Sequence, residues 1–289
     1  METWSHQGAI TTAKATHEQI RNALNDSGSS IRGKDFEVFL QGSYKNDTNI
    51  RGDSDVDVVV QLNETFQRDL SALPQDQESL YKSSYQNATY SLDQFRADVL
   101  QSMRNQCGAS SISVGNKSLK LSGSSGRLPA DTVVCLQYRK YQSFLSLNNQ
   151  TYVEGIVFNT QDGRQVINFP KPHYDNGVTK NSVTDGRFKP SVRMFKNARD
   201  YLVDHGRIIN TLAPSYFVEC LIYNVPGDKI AGSYQQIYSN VANWLVNANL
   251  DSLMCQNRQL RLFGNSSEQW SVDTARQFIS ALVSLWNGW

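Results

Sequence analysis

Asp55 and Asp57 stand one residue apart at the head of an apolar run that continues through Leu62. On a strand, alternation puts Val56, Val58, Val60 and Leu62 on one face and the two carboxylates, with Val59 beyond them, on the other. The apolar face must be buried. The carboxylates are then held side by side at the rim of a sheet, about 6.6 Å apart along the strand. Two carboxylates at that spacing can converge on one or two hard cations such as Mg²⁺, which take oxygen ligands and substrate phosphates. Upstream, Phe36 to Leu40 reads as a strand ending at a Gly42-Ser43 turn, where backbone N–H groups and a hydroxyl can approach a phosphate. A solvated edge strand would also carry acids. Unpaired acids on a well-buried strand are costly, however, so the metal-and-phosphate chemistry is the better account.

These groups need elements to hold them. His6 to Leu24, with Ile10, Ala13, Ile20, Ala23 and Leu24 spaced along it, predicts an amphipathic helix ended by the turn residues Asn25 to Ser30. Steps of three and four from Tyr81 through Tyr85, Ala88, Leu92, Phe95 and Val99 to Met103 predict one long helix over Asp76–Gln106. Ser111–Leu121 reads as a hairpin about Gly115-Asn116. Pro129–Leu136 reads as a buried strand that opens with an acid, Asp131. Glu154–Phe158 and Gln165–Phe169 flank a Gln161-Asp162-Gly163 turn as a second hairpin. Pro170-Lys171-Pro172-His173 then breaks the pattern and marks a boundary between a sheet-rich lobe, 1–169, and a helical lobe, 170–289. In the second lobe Val192, Phe195, Ala198 and Leu202 predict a helix over Phe188–Asp204, and Pro214-Ser215 opens another. Tyr234–Leu250 and Val272–Trp289 complete it, with Trp244, Trp270, Trp286 and Trp289 assigned to its core.

The wording QGSYKNDTNIRGDSDVDVVV, with Gly42-Ser43 ahead of Asp55-Val56-Asp57, resembles the nucleotidyltransferase signature of the DNA-polymerase-beta superfamily. Within it the chain is similar to the bacterial CD-NTases, relatives of cyclic GMP-AMP synthase and oligoadenylate synthetase. NGVTKNSVTDGRFKPSVRMFKNARDYL is similar to the same branch. The resemblance implies an α+β, polymerase-beta-like fold: a sheet-rich catalytic lobe packed with a helical second lobe, and a long N-terminal helix bridging both. It implies a third metal-binding acid at the start of the strand after a hairpin, the place of Asp131. It also implies a lysine and a serine on consecutive helices that contact the donor triphosphate, the places of Lys196 and Ser215, with Gln41, Gly42 and Ser43 binding the nucleotide as well.

The activity implied is the joining of nucleoside triphosphates, ATP among the candidates, into a cyclic di- or trinucleotide used as an alarm signal in anti-phage defence. Two Mg²⁺ ions, with Mn²⁺ able to replace them, would sit on Asp55, Asp57 and Asp131 and clamp the attacking and leaving oxygens. The implied partners are an effector protein that binds the product and, in some systems, an accessory regulator. Two other readings stay open. One is a linear oligonucleotide synthase or small-molecule nucleotidyltransferase; the other is a non-catalytic nucleotide- or RNA-binding module of the same fold. Three converging acids argue against the last, since they repel one another and phosphates unless metal is bound.

Composition narrows the remaining classes. At 289 residues, with 39% hydrophobic and 19% charged side chains, the chain can build one large or two smaller cores. It has no apolar run of the eighteen or so residues a membrane span needs, and its first residues lack a signal peptide's basic and apolar blocks, so a cytoplasmic location is expected. The four cysteines form no CxxC or Cys/His cluster, which disfavours zinc and disulfide frameworks. With Lys+Arg 28 against Asp+Glu 27 there is no whole-molecule field to draw nucleic acid, and activation by long DNA or RNA is not expected.

Overall fold

A computed structural model describes residues 1–7, 11–50 and 55–288. The tertiary contacts divide the chain into two units, one of residues 10–44 and 53–171, the other of residues 1–9, 45–52 and 172–289. Gly8 to Ile10 of the expected first helix, Arg51 to Ser54 of the signature and Trp289 lie outside the described residues.

The first unit is built on a seven-stranded sheet: β1 (Phe36–Leu40), β2 (Val56–Asp69), β3 (Ile112–Val114), β4 (Leu119–Leu121), β5 (Ala130–Ser146), β6 (Asn149–Asn159) and β7 (Gln165–Asn168). β2 lies between β1, its antiparallel neighbour, and β5, its parallel one. β4 and β6 both pair antiparallel with β5. Helix α1 (Thr11–Asn25) packs on β1, β2 and the helix Leu92–Cys107 of this unit. β2 is buried on both faces from Val58 to Leu62: Val58, Val60 and Leu62, with Val56 ahead of them, are fully buried on one face, and Val59 and Gln61 on the other. Val59 joins Val133, Cys135, Ile156, Phe158 and Val166 in a core that also receives Leu92.

The single helix expected over Asp76–Gln106 is two, α3 (Gln75–Ser84) and α4 (Leu92–Cys107). Apolar spacing continues through the break, but the two halves serve different surfaces. Tyr81 and Tyr85 pack with Tyr141, Phe144, Tyr152 and Phe66, whereas Phe95, Val99 and Met103 are buried from α4. Ser91 starts the second helix through a capping box with Gln94, each side chain bonding the other's backbone N–H. Both hairpins read from the sequence form.

The chain leaves this unit through α2 (Gly42–Asn46) and returns beyond residue 52. The expected Gly-Ser turn is therefore the opening of a short helix. The second unit contains α5 (Pro170–Val183, whose first two residues belong to the sheet unit), α6 (Phe188–Asp204), α7 (Ser215–Tyr223), α8 (Tyr234–Asn247) and α9 (Val272–Asn287). The proline segment expected to be a break instead starts α5, where missing N–H groups cost nothing. Val192, Phe195, Ala198 and Leu202 are all fully buried, as their spacing requires, in a core shared with α7, α8 and α9. Trp244, Trp270 and Trp286 pack against that core.

Candidate active site

The parallel pairing of β2 with β5 builds the site. Its register sets Asp57 beside Asp131, followed on the same face by Val59 beside Val133 and Gln61 beside Cys135. The two carboxylates thus end a buried stripe, where the core stops and solvent begins. Asp57 is half-buried, Asp131 keeps 31% of its side chain exposed, and Asp55, just ahead of β2, is exposed. On the other flank of β5, antiparallel register puts Lys120 of β4 opposite Asp131, with Nζ 4.0 Å from Oδ1.

Gly42 closes the site from the other side of β2. Gln41 N–H donates to the Asp57 carbonyl at 2.9 Å, which brings the start of α2 against the first turn of β2. Gly42 sits at φ +67°, and a Cβ placed there would run into the Asp57 carboxylate, 2.9 Å from its Cγ. Glycine is needed twice over, for the left-handed backbone and for the space. Ser43 follows in the first turn of α2 and is half-buried.

Among the described residues no three His, Cys, Asp or Glu side chains gather into a ready-made metal cage. The Asp57–Asp131 pair, with Asp55 two residues ahead of Asp57, fits a different kind of cation site. Mg²⁺ is held in such sites by one or two carboxylates and completed by water and substrate phosphates. The absent Cβ of Gly42 makes room for the Asp57 carboxylate itself.

In the helical unit, Ser215 and Lys196 differ in what surrounds them. Ser215 is exposed at the first position of α7, and its Oγ accepts from Arg199 Nη2 at 3.2 Å. Lys196, expected to face a triphosphate, is only 2% exposed. Its Nζ donates to the Thr48 carbonyl (3.2 Å), Thr48 Oγ1 (3.1 Å) and Glu219 Oε2 (3.1 Å), which uses all three of its protons. Lys196 thus ties α6 to Thr48 and to Glu219 of α7.

Sequence reasoning missed the centre of that tie. Glu219 of α7, 3% exposed, also accepts from Asn46 Nδ2 and Thr48 Oγ1, each at 2.8 Å, and from His173 Nε2 at 2.9 Å. A carboxylate only accepts, so His173 carries its proton on Nε2. Burial alone would raise the Glu219 carboxyl; the Lys196 charge and the bonds from His173 and Thr48 outweigh it and hold the group well below the usual carboxylate range. The available signal was one acid in the apolar run SYFVECLIY, a residue that can be buried only with a partner.

Comparison with known proteins agrees with this architecture. Residues 17–119 match the nucleotidyltransferase domain profile, and residues 175–287 match the cGAS/DncV-like nucleotidyltransferase C-terminal helical domain. The chain is 48% identical to a cyclic UMP-AMP synthase of Rhodothermus marinus over 100% of its own length and 97% of the relative's. It is 38% identical to a cyclic nucleotide synthase of Staphylococcus haemolyticus, covering 100% and 98% of the two chains. A solved structure of the Rhodothermus marinus CdnE c-UMP-AMP synthase with Apcpp and Upnpp superimposes with a TM-score of 0.90, covering 100% of this chain and 95% of the other. The Elizabethkingia meningoseptica CdnE cyclic dinucleotide synthase with GTP and Apcpp gives 0.76 at 30% identity, covering 99% of this chain and 96% of that one. Carboxylates in parallel register, a glycine that clears space beside them and these full-length likenesses have one reading: the chain belongs to the bacterial CD-NTase family of cyclic-nucleotide synthases and is a nucleotidyltransferase.

Proposed function

We propose that the chain couples UTP and ATP into cyclic UMP-AMP on Asp55, Asp57 and Asp131, releasing one pyrophosphate as each of the two phosphodiester bonds forms, with Mg²⁺ as the working cation and Mn²⁺ as a substitute. The observation that carries the chemistry is the Asp57–Asp131 register beside Gly42. The pair of bases is suggested by the likeness, over the full chain, to a cyclic UMP-AMP synthase. Bound divalent cations supply charge neutralisation at the transferred phosphoryl group and make the attacking hydroxyl more acidic. The residues of this chain do the rest. Asp57 on β2 and Asp55 just ahead of it would hold the cations. Asp131, fixed by β5, faces the attacking ribose hydroxyl and takes part in its deprotonation. Gln41 orients the start of α2 through its backbone, and Gly42 and Ser43 offer a close backbone approach and a hydroxyl to phosphate. Ser215 offers a second hydroxyl to phosphate. Lys196 holds Glu219 and Thr48 in place.

The product would act as a signal read by a separate effector protein in anti-phage defence, with an accessory regulator as a further partner. The test is synthesis from each pairwise combination of the four NTPs with Mg²⁺ or Mn²⁺. The proposal expects efficient product only where UTP and ATP are both present. Equal yield from a purine pair alone would refute the base assignment while leaving the family intact.

A further inference from the structure

Along the solvent side of α9 runs a cavity of 920 Å³ that lies wholly within the helical unit and shares no residue with the carboxylate site or the Lys196–Glu219 tie. We propose that it is a product-binding site, which takes the finished cyclic dinucleotide with one phosphodiester on Arg207 and the other on Arg276. The inference rests on the proposed reaction only for the identity of that ligand.

Local sequence builds both walls. Ala275, Phe278, Ile279, Leu282 and Leu285 turn one face of α9 into the core. Arg276, Gln277, Ser280, Ala281 and Ser284, recurring at i, i+1, i+4, i+5 and i+8, therefore line the cavity along about 12 Å of helix. The other wall is the connection out of α6. Gly206, at φ +65°, ends that helix in a Schellman motif: its N–H donates to the Val203 carbonyl at 2.9 Å, and the Arg207 N–H to the Leu202 carbonyl at 2.8 Å. That turn fixes where Arg207 leaves the helix, and Ile208, Ile209 and Leu212 follow it along the cavity.

Charge, surface and size point to the ligand. Two arginines and no carboxylate line the cavity, and among the described residues neither guanidinium has an ion pair or hydrogen bond. A guanidinium takes phosphate oxygens through paired N–H donors. Two of them, one on each wall, suit two separate single charges better than the concentrated charge of one triphosphate. The wall between them is aliphatic: Ile209 is 69% exposed, beside the partly buried Ile208, Leu212 and Ala281. Base faces laid on this surface would remove it from water, which favours binding. Gln277, Ser280 and Ser284 offer donors and acceptors to base edges and ribose hydroxyls. The volume is near the top of the roughly 300–1,000 Å³ of small-ligand sites, room for two nucleosides rather than a lone phosphate.

The experiment is calorimetric titration of synthetic cyclic UMP-AMP into protein whose catalytic site is filled with Mg²⁺ and non-hydrolysable ATP and UTP analogues. Wild type, Arg207→Ala, Arg276→Ala, the double variant and Ile209→Glu are compared. Wild type should bind one further ligand. Loss of either arginine should weaken it about tenfold and loss of both about a hundredfold, as for independent charge-assisted contacts. Ile209→Glu, which adds a like charge, should weaken it too. Turnover of every variant should stay within about twofold of wild type, and Tm within about 2 °C, since the replaced side chains are exposed. No further binding by wild type, or equal binding by the double variant, would overturn the proposal; so would displacement of the cyclic ligand by an equal concentration of ATP or UTP. Because the ligand is synthetic, the titration does not depend on turnover. A wild type that makes no cyclic product refutes the proposed reaction, whereas one that makes it and leaves this cavity empty refutes only the product site.

Discussion

Replacing Lys196 with alanine separates two roles for that residue, because a buried tie and a solvent-facing phosphate ligand fail in different ways. In this structure the change strips a lysine from a carboxylate that is 3% exposed, leaving Glu219 with Asn46, Thr48 and His173. Breaking a buried ion pair from one side costs about 3–5 kcal/mol. Three remaining donors put the loss near the lower end, about 3 kcal/mol, or a fall in Tm of roughly 6–12 °C for a protein of this size. The pH dependence sharpens the test. The folded Glu219 carboxyl is depressed below its ordinary value of 4.5. Its contribution is therefore fully present above that pH and is lost as the pH falls below it. Without Lys196 burial pushes the group back up, so the variant forfeits that contribution at neutral pH and has little left to lose in acid. Thermal melts by circular dichroism from pH 8 to pH 3.5 should show the gap between wild type and variant widest at neutral pH and narrowing below about 4.5. Lys196→Met with Glu219→Leu should recover part of the loss, since a packed apolar pair can replace a buried ionic one. A variant that melts within about 1 °C of wild type at pH 7.5 while losing nucleotide affinity would refute the tie and restore Lys196 as a phosphate ligand.

Gly42→Ala should cut kcat by about a hundredfold or more, since the new Cβ meets the Asp57 carboxylate and the backbone is left-handed there; steady-state rates beside a melting curve check it, and unimpaired turnover would remove Gly42 from the site. Asp55→Asn with Asp57→Asn should lower turnover by roughly a thousandfold or more, about 4 kcal/mol, with Tm little lowered or raised, because the acids repel one another without a cation. Adding long double-stranded DNA or RNA should leave product formation unchanged, given 28 basic against 27 acidic residues; a large stimulation that fades with rising salt would contradict it.

The strands and helices that carry a strict period were legible in the sequence. Phe188–Asp204 is helical over the range its apolar spacing marks, and Val56, Val58, Val60 and Leu62 are buried together. Asp131 beside Asp57 was not legible from spacing alone, because parallel register is set by a crossover of sixty residues between the strands; only likeness to a family pointed there. The long helix was misread because Tyr81, Tyr85 and Ala88 run in phase with Leu92 and Phe95, although Ser91 with Gln94 spelled a capping box between them. The burial of Lys196 was not legible either: family likeness alone pointed to it as a phosphate contact, and Glu219, Thr48, Asn46 and His173 reach the tie from distant segments.

The central claim is that Asp55, Asp57 and Asp131 close a ring between two nucleotides. It is tested most directly by incubating wild type and Asp131→Asn with all four labelled NTPs and Mg²⁺, treating with phosphatase and weighing what survives by mass spectrometry. The account predicts one phosphatase-resistant product containing UMP and AMP from the wild type and none from the variant. A phosphatase-sensitive ladder, or an equal yield from Asp131→Asn, would contradict it.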